Sequence, residues 1–134
     1  MFKVKMYSEG KWKEPWLREA VAEYEKRLSR KCLLEWVLTD ELPKAPWIAL
    51  DPGGEQLDSE TFSKKWIQYL TQHGSRANVL IGGPDGIPKP VLAQSAWKLS
   101  LSPLTFTHQM VRLIWVEQIY RAFEIDAGSL YHRK

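Results

Sequence analysis

The sequence predicts a single α/β domain over residues 1–134, built on a mainly parallel sheet flanked by helices. Three observations carry that expectation. Short strand-like segments alternate with segments of helical period along the whole chain, the order that yields parallel strands joined by helices. A length of 134 residues supports one hydrophobic core and not two. No repeat, linker or low-complexity run divides the chain.

The first strand is read from Phe2, Val4 and Met6, which alternate with Lys3, Lys5 and Tyr7. Pro15 opens a helix to about Leu28, with Trp16, Ala20, Val21, Tyr24 and Leu28 on one face. Leu33 to Leu38 reads as a second strand, with Cys32 at its start as a small apolar residue. Pro43 and Pro46 break the chain before a short buried strand, Trp47 to Leu50, which ends at Asp51-Pro52-Gly53-Gly54. A second helix spans about Ser59 to Gln72, with Asp58 or Ser59 as its N-cap and Gly74 as its stop. Asn78 to Ile81 forms a fourth strand. A short helix after Pro88, a strand near Trp97 to Leu101 and a long helix from about Thr107 to Phe123 complete the domain.

Composition narrows the function classes. A hydrophobic fraction of 44% and a charged fraction of 26% are those of an ordinary globular protein. No apolar run approaches the roughly 18 residues of a membrane span. The alternating N-terminus reads as a strand and not as a signal peptide. Cys32, the single cysteine, makes no intrachain disulfide, and no Cys/His cluster has zinc-like spacing, so a reducing cytoplasm and no metal are expected. Seven Trp are expected mainly in core and interface packing. The net charge of +3 permits an acidic partner such as RNA without requiring one.

Four segments could carry chemistry. Ile81-Gly82-Gly83-Pro84-Asp85-Gly86 follows a strand, where ligands bind in parallel sheets, and its glycines let backbone approach a ligand closely. A plain tight turn accounts for the same residues. The spacing is neither a dinucleotide fingerprint nor a Walker loop. Leu99 to His108 alternates small hydroxyl residues with apolar ones before a helix start; it could wrap an adenine or be an edge strand and cap. Glu117 and Arg121 have i,i+4 spacing and could be a surface ion pair. The terminal Tyr131-His132-Arg133-Lys134 is either a solvated basic tail or a group able to stack on and hydrogen-bond RNA.

Taken together and in order, these motifs resemble one family. The runs L-I-G-G-P-D-G-I at Leu80 to Ile87, S-L-S-P-L-T-F-T-H at Ser100 to His108, M-V-R at Met110 to Arg112, E-Q-I-Y-R-A at Glu117 to Ala122 and the terminal Y-H-R are similar to the RlmH family. The resemblance covers essentially the whole chain. It implies a SPOUT methyltransferase with a C-terminal trefoil knot, acting as a homodimer on 23S rRNA in the ribosome. The activity implied is methylation of N3 of a pseudouridine with S-adenosyl-L-methionine (SAM).

By matching position, Leu50, Gly83 and Ser102, Pro103, Leu104, Thr105, Phe106 and Thr107 would contact the cofactor, with Gly82 in the same loop shaped by Pro84 and Gly86. His108, Arg112 and Glu117 would bind substrate, and Arg121, Tyr131, His132 and Arg133 would form the catalytic group. Arg121 or Arg133 would stabilise the imide anion and His132 would accept a proton. The chain departs from the family at the short Thr39 to Pro46 connection, at Gln109 in place of a proline, and at Gly128-Ser129-Leu130 before Y-H-R. The rival readings are a methyltransferase for another RNA, such as tRNA, and a catalytically silent ribosome-binding factor.

Overall fold

A computed structural model describes residues 1–133. Five parallel strands form one sheet in the order β2-β1-β4-β3-β5: β1 (Phe2–Ser8), β2 (Cys32–Leu38), β3 (Ile48–Gln56), β4 (Arg76–Ile81) and β5 (Trp97–Ser100). Helices α1 (Pro15–Leu28), α2 (Ser59–Gln72), α3 (Lys89–Ala93) and α4 (His108–Asp126) join or follow them. Among the described residues no helix is long and apolar enough to cross a membrane.

The core lies between one face of the sheet and α1, α2 and α4. The inward residues of the strands (Val4, Met6, Ile48, Val79) meet Val21 and Leu28 of α1, Phe62, Trp66 and Leu70 of α2, and Trp115, Val116 and Ile119 of α4. Trp66 and Trp115 are fully buried and meet edge to face, 5.4 Å between centroids. The other face is covered in part. Trp47 turns into it and donates its indole N–H to Ser95 Oγ beyond α3, and Asn78 Nδ2 donates to Lys44 O in the Thr39 to Pro46 connection. Lys3 and Lys5, on the outward side of β1, stay exposed.

Local chemistry sets the helix starts. Pro15 stands in the first turn of α1. Asp58 caps α2 by accepting from Thr61 N, and Thr107 caps α4 by accepting from Met110 N. Gly74 and Ser75 both leave α2 with positive φ.

Two expectations are revised. Trp16 is 55% exposed, because the buried stripe of α1 is Leu17, Val21 and Leu28, one position round from the face expected. β3 does not stop at Leu50: a register shift between Leu50 and Glu55 lets it continue to Gln56 along β5, past Pro52. That continuation requires Gly54, whose missing Cβ would stand 2.8 Å from the backbone of Lys98 and Leu99.

Candidate active site

A cleft of about 330 Å³ opens at the C-terminal ends of β4 and β5 and where β3 leaves its pairing with β4, the edge at which parallel sheets hold ligands. Its walls are Leu50 to Pro52 at the register shift within β3, Ile81 to Ile87 at and beyond the end of β4, Leu101 to Phe106 between β5 and α4, and His108 and Val111 of α4. The structure thus brings Leu50, Gly82, Gly83, Ser102, Leu104, Thr105 and Phe106 to one cleft. Pro103 is not part of its lining, nor is Thr107, whose hydroxyl is committed to capping α4.

The glycine loop is a tight turn against the cleft. Gly86 N donates to Gly83 O at 2.9 Å, and Gly86 has φ +78°. A Cβ on Gly82 would lie 3.0 Å from Gly86 C and 3.1 Å from Ile87 N, so Gly82 allows the two arms to close. A Cβ on Gly83 would instead meet the carboxylate of Glu9, the far end of a flexible side chain. Across the cleft, Ser102 Oγ accepts from Leu104 N at 3.0 Å, and Leu104 is left 69% exposed at the mouth.

Behind the loop, residues 9–13 form a strut held by the first turns of α4. Arg112 is fully buried: its Nε donates to Ser8 Oγ at 2.8 Å, and its Nη2 donates to Glu9 O and Gly10 O at 2.9 and 2.8 Å. Among the described residues its Nη1 has no hydrogen-bond partner, and the guanidinium stands 4.7 Å from the Trp12 ring centroid. Gln109 adds two ties, its Nε2 donating to Lys11 O and its Oε1 accepting from Lys13 N. The expected substrate contact Arg112 is therefore engaged inside the protein, joining β1 to α4.

His108 is half-buried beside this strut. Burial pushes its pKa down, and Arg112 and Lys13 add to the effect against an opposing pull from Glu9. The Gln109 amide nitrogen stands 3.4 Å from His108 Nε2, a contact that a neutral ring accepts and a protonated ring opposes.

The remaining expected residues gather elsewhere. Arg121 binds Glu117 through Nε (3.2 Å) and Nη2 (3.0 Å), a two-pronged pair with side chains 25% and 19% exposed. The chain after α4 folds back onto it. Tyr131 OH donates to Glu117 Oε2 at 2.9 Å, Arg121 lies 5.0 Å from the Tyr131 ring centroid, and Tyr131 meets Tyr120 edge to face. His132 Nδ1 is 2.9 Å from Arg121 Nη1, so the guanidinium donates to it and that lone pair is engaged. Its Nε2 is 3.6 Å from Glu60 Oε1. Burial, then hydrogen bonding to Tyr24 and Glu117, holds the Tyr131 hydroxyl well above its ordinary pKa, so it stays protonated and donates. Arg133 is exposed.

Two groups therefore occupy α4. Glu117 and Arg121 lie roughly 14 and 20 Å along the helix axis from His108, from the rise per residue. The cleft residues Asp51, Pro52 and Val111 escape sequence reasoning. For Asp51 and Pro52 the signal was available, since they directly follow Leu50, which the sequence already assigns to the site.

Comparison with known proteins shows the family. A family model described as "Predicted SPOUT methyltransferase" matches residues 37–132. A protein of Protochlamydia amoebophila named Ribosomal RNA large subunit methyltransferase H is 44% identical over 145 aligned positions, covering 99% of this chain and all of that protein. One of the same name from Magnetococcus marinus is 40% identical over 96 positions, covering 72% of this chain and 60% of that one. The solved structure of a probable methylase family protein from Haemophilus influenzae Rd KW20 superposes with a TM-score of 0.52 at 11% identity, over 95% of this chain and 66% of that one, which shows a shared fold. The chain belongs to the SPOUT methyltransferases and, within them, to the RlmH family.

Proposed function

We propose that this chain transfers the methyl group of SAM to N3 of a pseudouridine in 23S rRNA on the assembled ribosome, acting as a homodimer. One observation carries the reading: a cleft at the ends of β4 and β5 and at the register shift of β3, lined by segments whose motifs resemble the family, in a chain 44% identical along its length to a protein named Ribosomal RNA large subunit methyltransferase H. A C-terminal trefoil knot belongs to the same reading.

The residues fit the cofactor. Gly82 keeps the loop backbone closed against the cleft, and Leu50, Leu101, Leu104, Phe106 and Val111 offer apolar walls for an adenine ring. Bound SAM supplies an electrophilic methyl group at its sulfonium. The chain's own contribution is positioning and charge. The strut at residues 9–13, tied to α4, places Glu9 against Gly83 of the loop, and Arg121 or the exposed Arg133 supplies a cation for a deprotonating imide. His132 takes the proton only if its Nδ1 gives up the Arg121 contact.

Support for a homodimer comes from distance. The cleft and the Arg121–Tyr131–His132 group lie apart in one chain, so a nucleotide meeting both draws the second group from another copy.

The test is methyl transfer from labelled SAM to unmodified ribosomes and to their separated RNAs. Label at N3 of one pseudouridine of 23S rRNA, in assembled ribosomes only, is expected. Label on tRNA would change the substrate and keep the chemistry, whereas SAM binding without label would favour a silent ribosome-binding factor. In the same assay Arg133→Ala is expected to lower turnover by about tenfold or more, the scale of a lost charged contact in the transition state, with SAM affinity kept. Unchanged turnover would remove Arg133 from the chemistry.

A further inference from the structure

Parallel sheets are ordinarily covered on both faces. Here the outward side of β1, the strand between β2 and β4, is open. With the starts of β2 and β4 and the Lys44–Pro46 segment it forms a groove of about 450 Å³, separate from the cleft.

Its charge is one-sided. Lys3, Lys5, Lys44 and Arg76 line it against a single carboxylate, Glu35, an excess of three that equals the net charge of the whole chain. Glu35 is taken by Lys5, 3.6 Å away. Lys3 and Arg76 are register partners on adjacent strands, so two like charges stand side by side. Such a pair is locally unfavourable, and among the described residues neither has an ion-pair partner. A bound anion relieves that cost. Tyr7 adds an aromatic edge to the same groove, and a basic sheet face with an aromatic ring is a surface on which RNA docks.

We propose that this open face is a second RNA-binding surface, on which Lys3, Arg76 and Lys44 hold the phosphodiester backbone of the rRNA whose target nucleotide enters the cleft. The inference rests on the rRNA reading above. Arg76 and Ile81 bound β4, which places the face roughly 17 Å from the cleft and lets it hold RNA flanking the target rather than the target itself.

The experiment measures binding of purified ribosomes across a salt series by the wild-type chain, by Lys3→Gln/Arg76→Gln and by the charge-keeping Lys3→Arg, with SAM affinity followed by calorimetry. The double variant is expected to bind about tenfold or more weakly near physiological salt. Its log–log salt slope should be shallower by roughly 1.5, the share of two phosphate contacts. Lys3→Arg should behave as wild type, and SAM affinity should not move. Equal affinity and slope for wild type and the double variant would overturn the inference and leave the rRNA reading standing. Weaker binding with an unchanged slope would also overturn it, in favour of a protein contact. A double variant that sediments at half the wild-type mass would reassign the face to contact between copies. A wild-type chain that binds no ribosomes would bring down the rRNA reading and this inference together.

Discussion

The two halves of α4 solve opposite problems. Its first turns are spent on the fold: Gln109 and Arg112 are buried, and their polar atoms tie residues 8–13 in place behind the glycine loop. Its later turns carry a partly exposed network in which Glu117, Arg121, Tyr131 and His132 satisfy one another. The first half builds a rigid, largely apolar cleft; the second holds charged groups that can exchange partners at small cost. A polar residue of a family motif is therefore not by that fact a ligand contact. Burial separates the residues that shape a site from those free to act in it.

The largest expected effect lies in the first half. Arg112→Met should lower unfolding stability by about 3 kcal/mol, because Ser8 and two carbonyls lose a charged donor in the interior. Arg112→Lys should recover little, since an ammonium lacks the planar fork. Denaturant unfolding checks both. A loss below about 1 kcal/mol would return Arg112 to the set of freely available groups.

Next comes the contrast between the two glycines. Gly82→Ala pushes into backbone at 3.0 Å and should weaken SAM binding by about thirtyfold, on the order of 2 kcal/mol. Gly83→Ala meets only the movable Glu9 carboxylate and should stay within about threefold. Calorimetry on the pair decides it, and the reverse ranking would mean that the loop is read from the wrong side.

In the second half, Glu117→Gln should cost about 1 kcal/mol of stability, because its partners are close to solvent. Its main effect should fall on ribosome KM as the tail loosens. An unchanged KM would make the network a passive surface feature.

The smallest effect is one of pH. The folded pKa of His108 is depressed below its ordinary 6.5, so the native state resists taking up the proton. The stability this contributes is fully present above the unfolded value and falls away as pH drops from about 6.5 toward the folded value. His108→Gln should flatten the stability profile in that window. An unaltered profile would show that the ring is not desolvated.

The elements were legible because their signals are local. Alternation marks β1 and correctly turns Val4 and Met6 inward, Asp58 marks the start of α2, and the Gly82–Gly86 turn is written in its residue types. The cleft was legible in part, through strand-end loops and ordered motifs similar to a known family. Helical phase misplaced Trp16 because an amphipathic stripe with an aromatic on its border can rotate by one position. Proline and two glycines concealed the extension of β3, which depends on close approach to β5 at Gly54.

The residue order by itself determined the alternating strands and helices, the caps and the presence of a glycine-rich turn after β4, since each depends on neighbours a few residues away. Only the tertiary structure decided that Arg112 is buried, that the Tyr131–His132 tail returns to Glu117 and Arg121, and that Lys3 meets Arg76 on an open face. Those outcomes depend on solvent exclusion and on contacts between residues far apart in the chain, quantities that no local pattern of residue types contains.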